Sequence, residues 1–137
     1  MKHQRPFERY IPFTSDYGFK VTFGNEHNTL FLRRALQALT GLEEPIEEVF
    51  LEKNTKEGGT KDSRGGVYDI TCRHANGDIS IVEMQVLGYP KFLKRMEYYT
   101  LLRMSPFVKK GKWGFNDVPR IFGVGILGFD LFPGAEY

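Results

Sequence analysis

The chain has 137 residues, 41% of them hydrophobic and 15% aromatic, which suffices for a folded core and excludes disorder throughout. Its formal net charge of +2 is a mild basic excess, compatible with a nucleic-acid partner without indicating one. The single cysteine excludes an intramolecular disulfide and a zinc cluster built on cysteines. No signal-peptide core and no apolar run of membrane-spanning length occurs, so we expect one cytoplasmic domain over residues 1–137 with no membrane association.

The first third of the chain predicts one helix and one strand. An extended segment leads into a short aromatic block at residues 16–24, to which the pattern assigns no element. A helix is predicted from an N-cap at Asn28 or Thr29 to Gly41, because the apolar residues between them recur at helical spacing. Residues 46–51 are predicted to form a strand, with three apolar residues at its centre.

Two strands joined by a short turn are predicted in the middle of the chain. They cover residues 67–72 and 79–86, and the Asn76-Gly77 pair between them is a strong hairpin signal. Cys72 falls on an apolar position of the first strand and is predicted to be a small buried side chain rather than a catalytic thiol. The preceding segment, residues 54–66, contains no apolar residue and is predicted to be a solvated loop.

The last third predicts a helix followed by a strand. The helix covers roughly residues 91–109, and Pro106 predicts a kink or an early end near Met104. Residues 120–129 are predicted to form a buried strand. The predicted order is therefore helix, three strands, helix and strand.

Polar residues on the two middle strands share one face. Asp69 lies on the first strand, and Glu83 and Gln85 lie on the second, all opposite to the apolar set. A two-residue Asn-Gly loop would mix the two faces, so we predict an odd-length loop or a bulge that pairs Asp69 with Gln85 and Thr71 with Glu83. The three side chains then occupy neighbouring positions within about 5–8 Å of one another. Oxygen ligands at this separation suit Mg²⁺ or Mn²⁺.

Two interpretations of this face remain open. An antiparallel strand with one solvated face carries the same alternation, and polar residues on such a face need no further explanation. The face also carries four apolar residues, however, and acids with apolar flanks are more typical of a cleft than of a water-facing stripe. These residues are Val67, Ile79, Ile81 and Leu87.

An acid on one strand and Glu-x-Gln on the next resemble the motif of the PD-(D/E)XK nucleases. Here Asp69 is followed, after thirteen intervening residues, by Glu83-Met84-Gln85. Four blocks resemble more specifically the PD-(D/E)XK family of transposases, also called recombination-promoting nucleases. They are Phe13-Thr-Ser-Asp-Tyr-Gly-Phe-Lys-Val-Thr-Phe-Gly, Tyr68-Asp69-Ile70, Ile81-Val-Glu-Met-Gln and Arg95-Met-Glu-Tyr-Tyr. The resemblance implies an α/β fold with a restriction-endonuclease-like αβββαβ core, in which helices flank a central mixed sheet.

The resemblance also implies a metal-dependent DNA endonuclease associated with transposition or recombination. Asp69, Glu83 and the main-chain oxygen of Met84 would hold Mg²⁺ or Mn²⁺, and Gln85 would position the attacking water. A further acid often completes such a site, and Glu26 is the candidate here, although it is more simply a surface residue. Candidate substrate contacts are Asp16, Lys20, Lys61 and Arg95, each with a plain structural alternative as a salt bridge, cap, loop residue or helix-surface residue.

Two departures, the first from the wider superfamily and the second from the transposase family, keep other functions open. Gln85 stands where the superfamily has a lysine, and a glutamine cannot act as a charged group. The chain ends at Tyr137, earlier than family members usually do, so we expect a copy that is truncated at its C-terminus, a degenerate copy or a trimmed sequence. The alternatives are a catalytically weak nucleic-acid-binding relic and a small α/β interaction domain with Asp69 and Glu83 on its surface. A homodimer would suit double-strand cleavage, but the sequence indicates no interface.

Overall fold

A mixed four-stranded sheet with helices on both faces organises the chain. The computed structural model describes residues 10–52, 68–88, 90–108 and 111–135. The helices there are α1 (Asp16–Phe23), α2 (Leu30–Thr40) and α3 (Phe92–Met104), and the strands are β1 (Val49–Glu52), β2 (Tyr68–His74), β3 (Ile79–Gln85) and β4 (Ile121–Leu127). None of these helices is long and apolar enough to cross a membrane.

The strands lie in the order β1-β2-β3-β4. The first three form an antiparallel meander, and β4 runs parallel to β3. Because two parallel neighbours need a crossover connection, α3 crosses one face of the sheet between them. The predicted mixed sheet with an αβββαβ core is thereby confirmed.

One helix precedes the order predicted from the sequence. The aromatic block forms α1, which begins after Ser15, whose Oγ accepts a hydrogen bond from the backbone N–H of Gly18 at 3.0 Å. Phe19 and Phe23, four positions apart, then face the core and are both buried. The aromatic and β-branched residues of this block have modest helix propensity, so packing rather than propensity stabilises the helix.

The other predicted helices are confirmed. Thr29 and Gly41 bound α2, and Gly41 has a φ of 65°. The helix before Pro106 ends early as predicted, at Met104, and one 3₁₀ turn over Ser105–Phe107 follows it. The predicted solvated loop over residues 54–66 lies outside the described residues.

The β2–β3 hairpin has the predicted odd-length loop but a different register. His74 donates its backbone N–H to the carbonyl of Asp78 at 2.7 Å, which closes a loop of three residues, 75–77. Gly77 has a φ of 95°, the conformation that such loops require at this position. The loop is thus centred on Asn76 and not on Gly77.

This centring changes the cross-strand partners that the sequence predicted. Asp69 pairs with Glu83, and Thr71 pairs with Ile81, so the predicted pairs Asp69–Gln85 and Thr71–Glu83 are wrong. The shift is by two positions, and a shift of two preserves the face on which every side chain lies. The polar residues therefore share one face, as predicted.

The main core lies between one face of the sheet and helices α1 and α2. Its buried residues are Phe19, Phe23, Leu32, Leu36, Ile46, Val49, Ile70, Cys72, Val82 and Met84. Burial raises the pKa of the Cys72 thiol to about 12, so this cysteine has no nucleophilic thiolate near neutral pH. It is a core residue, as the sequence predicted.

Helix α3 packs closely against the opposite face of the sheet because β4 carries two glycines there. A Cβ atom on Gly125 would lie 2.7 Å from Cζ of Phe92, and one on Gly123 would lie 2.7 Å from Cε of Met96. Gly125 is the direct neighbour of Glu83 in the sheet. The glycines therefore seat α3 beside Glu83, and Arg95, between the two seated residues in sequence, faces the strands.

Candidate active site

Two carboxylates lie directly opposite each other on β2 and β3. Asp69 and Glu83 form a cross-strand pair on the face that α3 covers, a position that separates Cβ atoms by about 4.5–5.5 Å. Asp69 is exposed to solvent, whereas the Glu83 side chain is 0% exposed. The alternative in which both acids are surface residues is therefore wrong for Glu83.

Arg95 of α3 connects Glu83 with Gln85. Its Nη2 donates a hydrogen bond to Oε2 of Glu83 at 3.1 Å and another to Oε1 of Gln85. The Arg95 side chain is only 15% exposed, so this ion pair is largely shielded from water. In the structure Arg95 thus forms a salt bridge with Glu83 and is not a plain helix-surface residue.

The site leaves its negative charge only partly compensated. Burial is the largest influence on the pKa of Glu83 and raises it, the charge and hydrogen bond of Arg95 lower it, and the negative charge of Asp69 raises it again. The balance places the pKa of Glu83 above its ordinary value of 4.5. A nearby cation would stabilise the ionised form of this carboxyl group.

The oxygen atoms present fit a hard divalent cation. Oε1 of Glu83 is buried and has no hydrogen-bond partner among the described residues, although buried carboxylate oxygens nearly always have one. A cation bound between Asp69 and Glu83 would satisfy this oxygen. Within the described residues no group of three His, Cys, Asp or Glu residues could hold a metal, so water and neutral oxygens would complete the coordination, as Mg²⁺ prefers.

The other predicted site residues are placed differently. Met84 points its side chain into the core on the opposite face, so only its main-chain oxygen could contact a metal. Lys20 is exposed on α1, whose phenylalanines pack on that opposite face. Glu26 is exposed between α1 and α2, and the structure does not bring it into the cluster described above. Lys61 and the side chain of Asp16 lie outside the described residues.

A second arginine of α3 also contacts the sheet. Arg103 donates hydrogen bonds to Glu52 on β1 and Thr71 on β2, both at 3.2 Å. It lies two turns after Arg95 on the helix, so the two guanidinium groups follow the same covered face of the sheet. In the sequence, the spacing of eight residues between Arg95 and Arg103 indicates that the two arginines lie on the same face of the helix.

A further polar cluster lies at the hairpin end of β3. Oδ2 of Asp78 accepts hydrogen bonds from Arg120 Nη2 at 2.7 Å, Arg120 Nε at 3.1 Å and Asn76 Nδ2 at 2.9 Å. Close by, Nε2 of the buried His74 lies 2.8 Å from Oγ of the buried Ser80. No sequence motif connects these residues, so the sequence predicted no role for them.

One comparison with known proteins gives a match. A family model described as PD-(D/E)XK nuclease family transposase matches residues 13–137, which include all four blocks noted in the sequence and both carboxylates of the site. No curated protein and no solved structure shows significant similarity to the chain. The family match covers nearly the whole chain and agrees with the observed sheet. The chain therefore belongs to the PD-(D/E)XK nuclease family of transposases.

Proposed function

We propose that the protein is a metal-dependent endonuclease that hydrolyses phosphodiester bonds of DNA during transposition or recombination. The observation that carries the proposal is the pair formed by exposed Asp69 and buried Glu83, with Oε1 of Glu83 unpartnered among the described residues. Membership of a nuclease family of transposases supports the same reaction class.

Asp69 and Glu83 would hold Mg²⁺ or Mn²⁺, with the main-chain oxygen of Met84 as an additional ligand. When bound, such an ion lowers the pKa of a coordinated water and neutralises charge on a phosphate oxygen. Burial holds the Glu83 carboxylate in place, while exposed Asp69 remains accessible to a substrate that approaches from solvent.

Gln85 and Arg95 would divide the role that the superfamily lysine has. The Gln85 amide cannot take up a proton, and its carbonyl oxygen accepts a hydrogen bond from Arg95, so it serves to position its neighbours. Arg95 supplies the positive charge that glutamine lacks. Its guanidinium group can form bidentate hydrogen bonds to phosphate oxygens, which makes Arg95 the best candidate for a substrate contact.

A plasmid-nicking assay with Mg²⁺ or Mn²⁺ tests the proposal. We expect cleavage by the wild type and a loss of at least about 100-fold in Asp69→Ala and Glu83→Ala, since even the partners of metal ligands contribute about 10–100-fold. Glu97→Ala is the matched control, because this acid of α3 is exposed and pairs only peripherally with Lys94 at 3.1 Å. Unchanged cleavage in both site variants would reject the site.

The catalytically weak relic is the second candidate, and the neutral Gln85 at the third motif position is what favours it. A relic predicts that the wild type binds DNA but does not nick it with either metal ion. A gel-shift assay on the same plasmid, run beside the nicking assay, separates the two functions.

A further inference from the structure

The Glu83 carboxylate, proposed as a metal ligand, already binds a cation from within the chain through its other oxygen, and the neighbouring Gln85 binds the same cation. Arg95 Nη2 bridges Oε2 of Glu83 and Oε1 of Gln85. Both acceptors lie on β3 next to Asp69, on the face that α3 covers. A metal ion at Glu83 and the Arg95 guanidinium group would therefore compete for the same negative charge.

The burial of these groups makes the competition strong. Glu83 is fully buried and Arg95 largely so, and a buried carboxylate without a counter-ion is unfavourable. One positive partner is needed at Glu83, whereas two would repel each other at short distance. Without a metal ion, Arg95 is that partner, bound at Oε2 of Glu83.

We propose that Arg95 is the built-in counter-ion of the metal-free site, and that a divalent cation bound through Oε1 of Glu83 repels the guanidinium group from Oε2 and so competes with it. The inference rests on the metal site of the proposed function and adds an internal competitor to it. Phe92 and Met96 keep α3 seated on Gly125 and Gly123, so the displaced group remains beside the site. It is then available to a phosphate group of the substrate.

A purely structural role for Arg95 predicts the opposite sign. If Arg95 kept Glu83 in the orientation that a metal needs, its removal would weaken metal binding. If Arg95 competes with the metal, its removal strengthens metal binding. The affinity for the metal alone, without DNA, thus distinguishes the two roles.

Calorimetric titration of Mn²⁺ into the full chain gives this affinity. We expect Arg95→Met to bind Mn²⁺ at least about tenfold more tightly than the wild type, a difference of about 1.4 kcal/mol. Arg103→Met is the matched control, because Arg103 lies on the same helix and bridges a strand carboxylate and a neutral group in the same way. Its Mn²⁺ affinity should equal that of the wild type. Equal or weaker binding by Arg95→Met overturns the proposal.

A second measurement on the wild type does not depend on how Arg95→Met folds. The Nε–Hε nuclear magnetic resonance signal of Arg95, assigned by its loss in Arg95→Lys, should shift on addition of Mg²⁺, while that of Arg103 should not. An Arg95 signal that stays in place at saturating Mg²⁺ overturns the proposal.

The Glu83→Gln variant separates failure of this inference from failure of the metal site. If neither the wild type nor Arg95→Met binds Mn²⁺, the proposed metal site is wrong, and the proposed competition is wrong as well. If the wild type binds Mn²⁺ and Glu83→Gln does not, the site stands. Unchanged affinity in Arg95→Met then rejects the competition alone.

Discussion

An arginine–carboxylate pair lies near each end of strand β3, and the two pairs differ in how many hydrogen bonds the carboxylate accepts. At the hairpin end, Oδ2 of Asp78 accepts three side-chain hydrogen bonds, and Oδ1 accepts one from the backbone N–H of Arg120 at 3.3 Å. At the other end, Oε1 of the more deeply buried Glu83 has no partner among the described residues.

The pKa values of the two carboxyl groups are shifted in opposite directions. Burial raises the pKa of Asp78, but hydrogen bonds from Arg120 and Asn76 and the charge of Arg120 outweigh it, so the pKa lies below its ordinary value of 3.8. For Glu83 burial prevails over Arg95, and the pKa is raised. A saturated pair of this kind stabilises a hairpin, whereas an unsaturated one retains capacity for a ligand.

Removal of each arginine should break the two pairs to different extents. We expect Arg95→Met to lower the free energy of unfolding of the metal-free protein by about 3 kcal/mol, because it leaves a buried charge uncompensated. Arg120→Met should lower the free energy of unfolding by less, because Arg120 is 51% exposed and water can replace it. Urea unfolding without metal measures both. Equal losses would mean that burial does not distinguish the pairs.

A larger side chain at Gly125, where α3 packs on β4 beside Glu83, should lower the stability of the protein. Gly125→Ala places a methyl group against Phe92, and we expect a loss of about 1–3 kcal/mol in the free energy of unfolding through overpacking. Gly88→Ala is the matched control, because an added Cβ there meets no atom within 4 Å. Thermal unfolding of both variants checks the difference, and a neutral Gly125→Ala would contradict the close seating of α3.

The smallest expected effect is a difference in the sign of the pH dependence. The stability contributed by Asp78 is present above pH 3.8 and is lost as the pH falls through its lowered pKa. The contribution of Glu83 is present below pH 4.5 and is lost as the pH rises through its raised pKa.

Relative to the wild type, Asp78→Asn should therefore become less stable as the pH rises from acid to neutral, and Glu83→Gln should become more stable. Urea unfolding of the three proteins across this range gives the two slopes. Slopes of the same sign would contradict the contrast between the pairs.

Local signals in the sequence predicted the elements that depend on local chemistry. Gly41 ended α2, Pro106 ended α3 early, and Asn76-Gly77 marked the hairpin. The odd length of its loop followed from the alternation of the two strands. The α1 helix escaped prediction because its stability comes from the packing of two phenylalanines and not from helix propensity.

The candidate site was predictable in its residues but not in its contacts. Alternation placed Asp69, Glu83 and Gln85 on one face, and the structure agrees. The direct pairing of Asp69 with Glu83 depended on which residue centres the loop, which Asn-Gly leaves undetermined. The burial of Glu83 under Arg95 depended on how closely α3 approaches β4, a distance set by residues remote in sequence.

The Mg²⁺ dependence of thermal stability tests the central claim most directly, namely that Asp69 and Glu83 form a metal site whereas Asp78 is structural. Asp69 is exposed, so Asp69→Asn should preserve the fold, and Asp78→Asn serves as its matched carboxylate control. We expect Mg²⁺ at about 100 times its Kd to stabilise the wild type and Asp78→Asn by about 2.7 kcal/mol each, raising both midpoints. Asp69→Asn should lose most of this gain. An Asp69→Asn midpoint that rises with Mg²⁺ as much as that of the wild type would contradict the account.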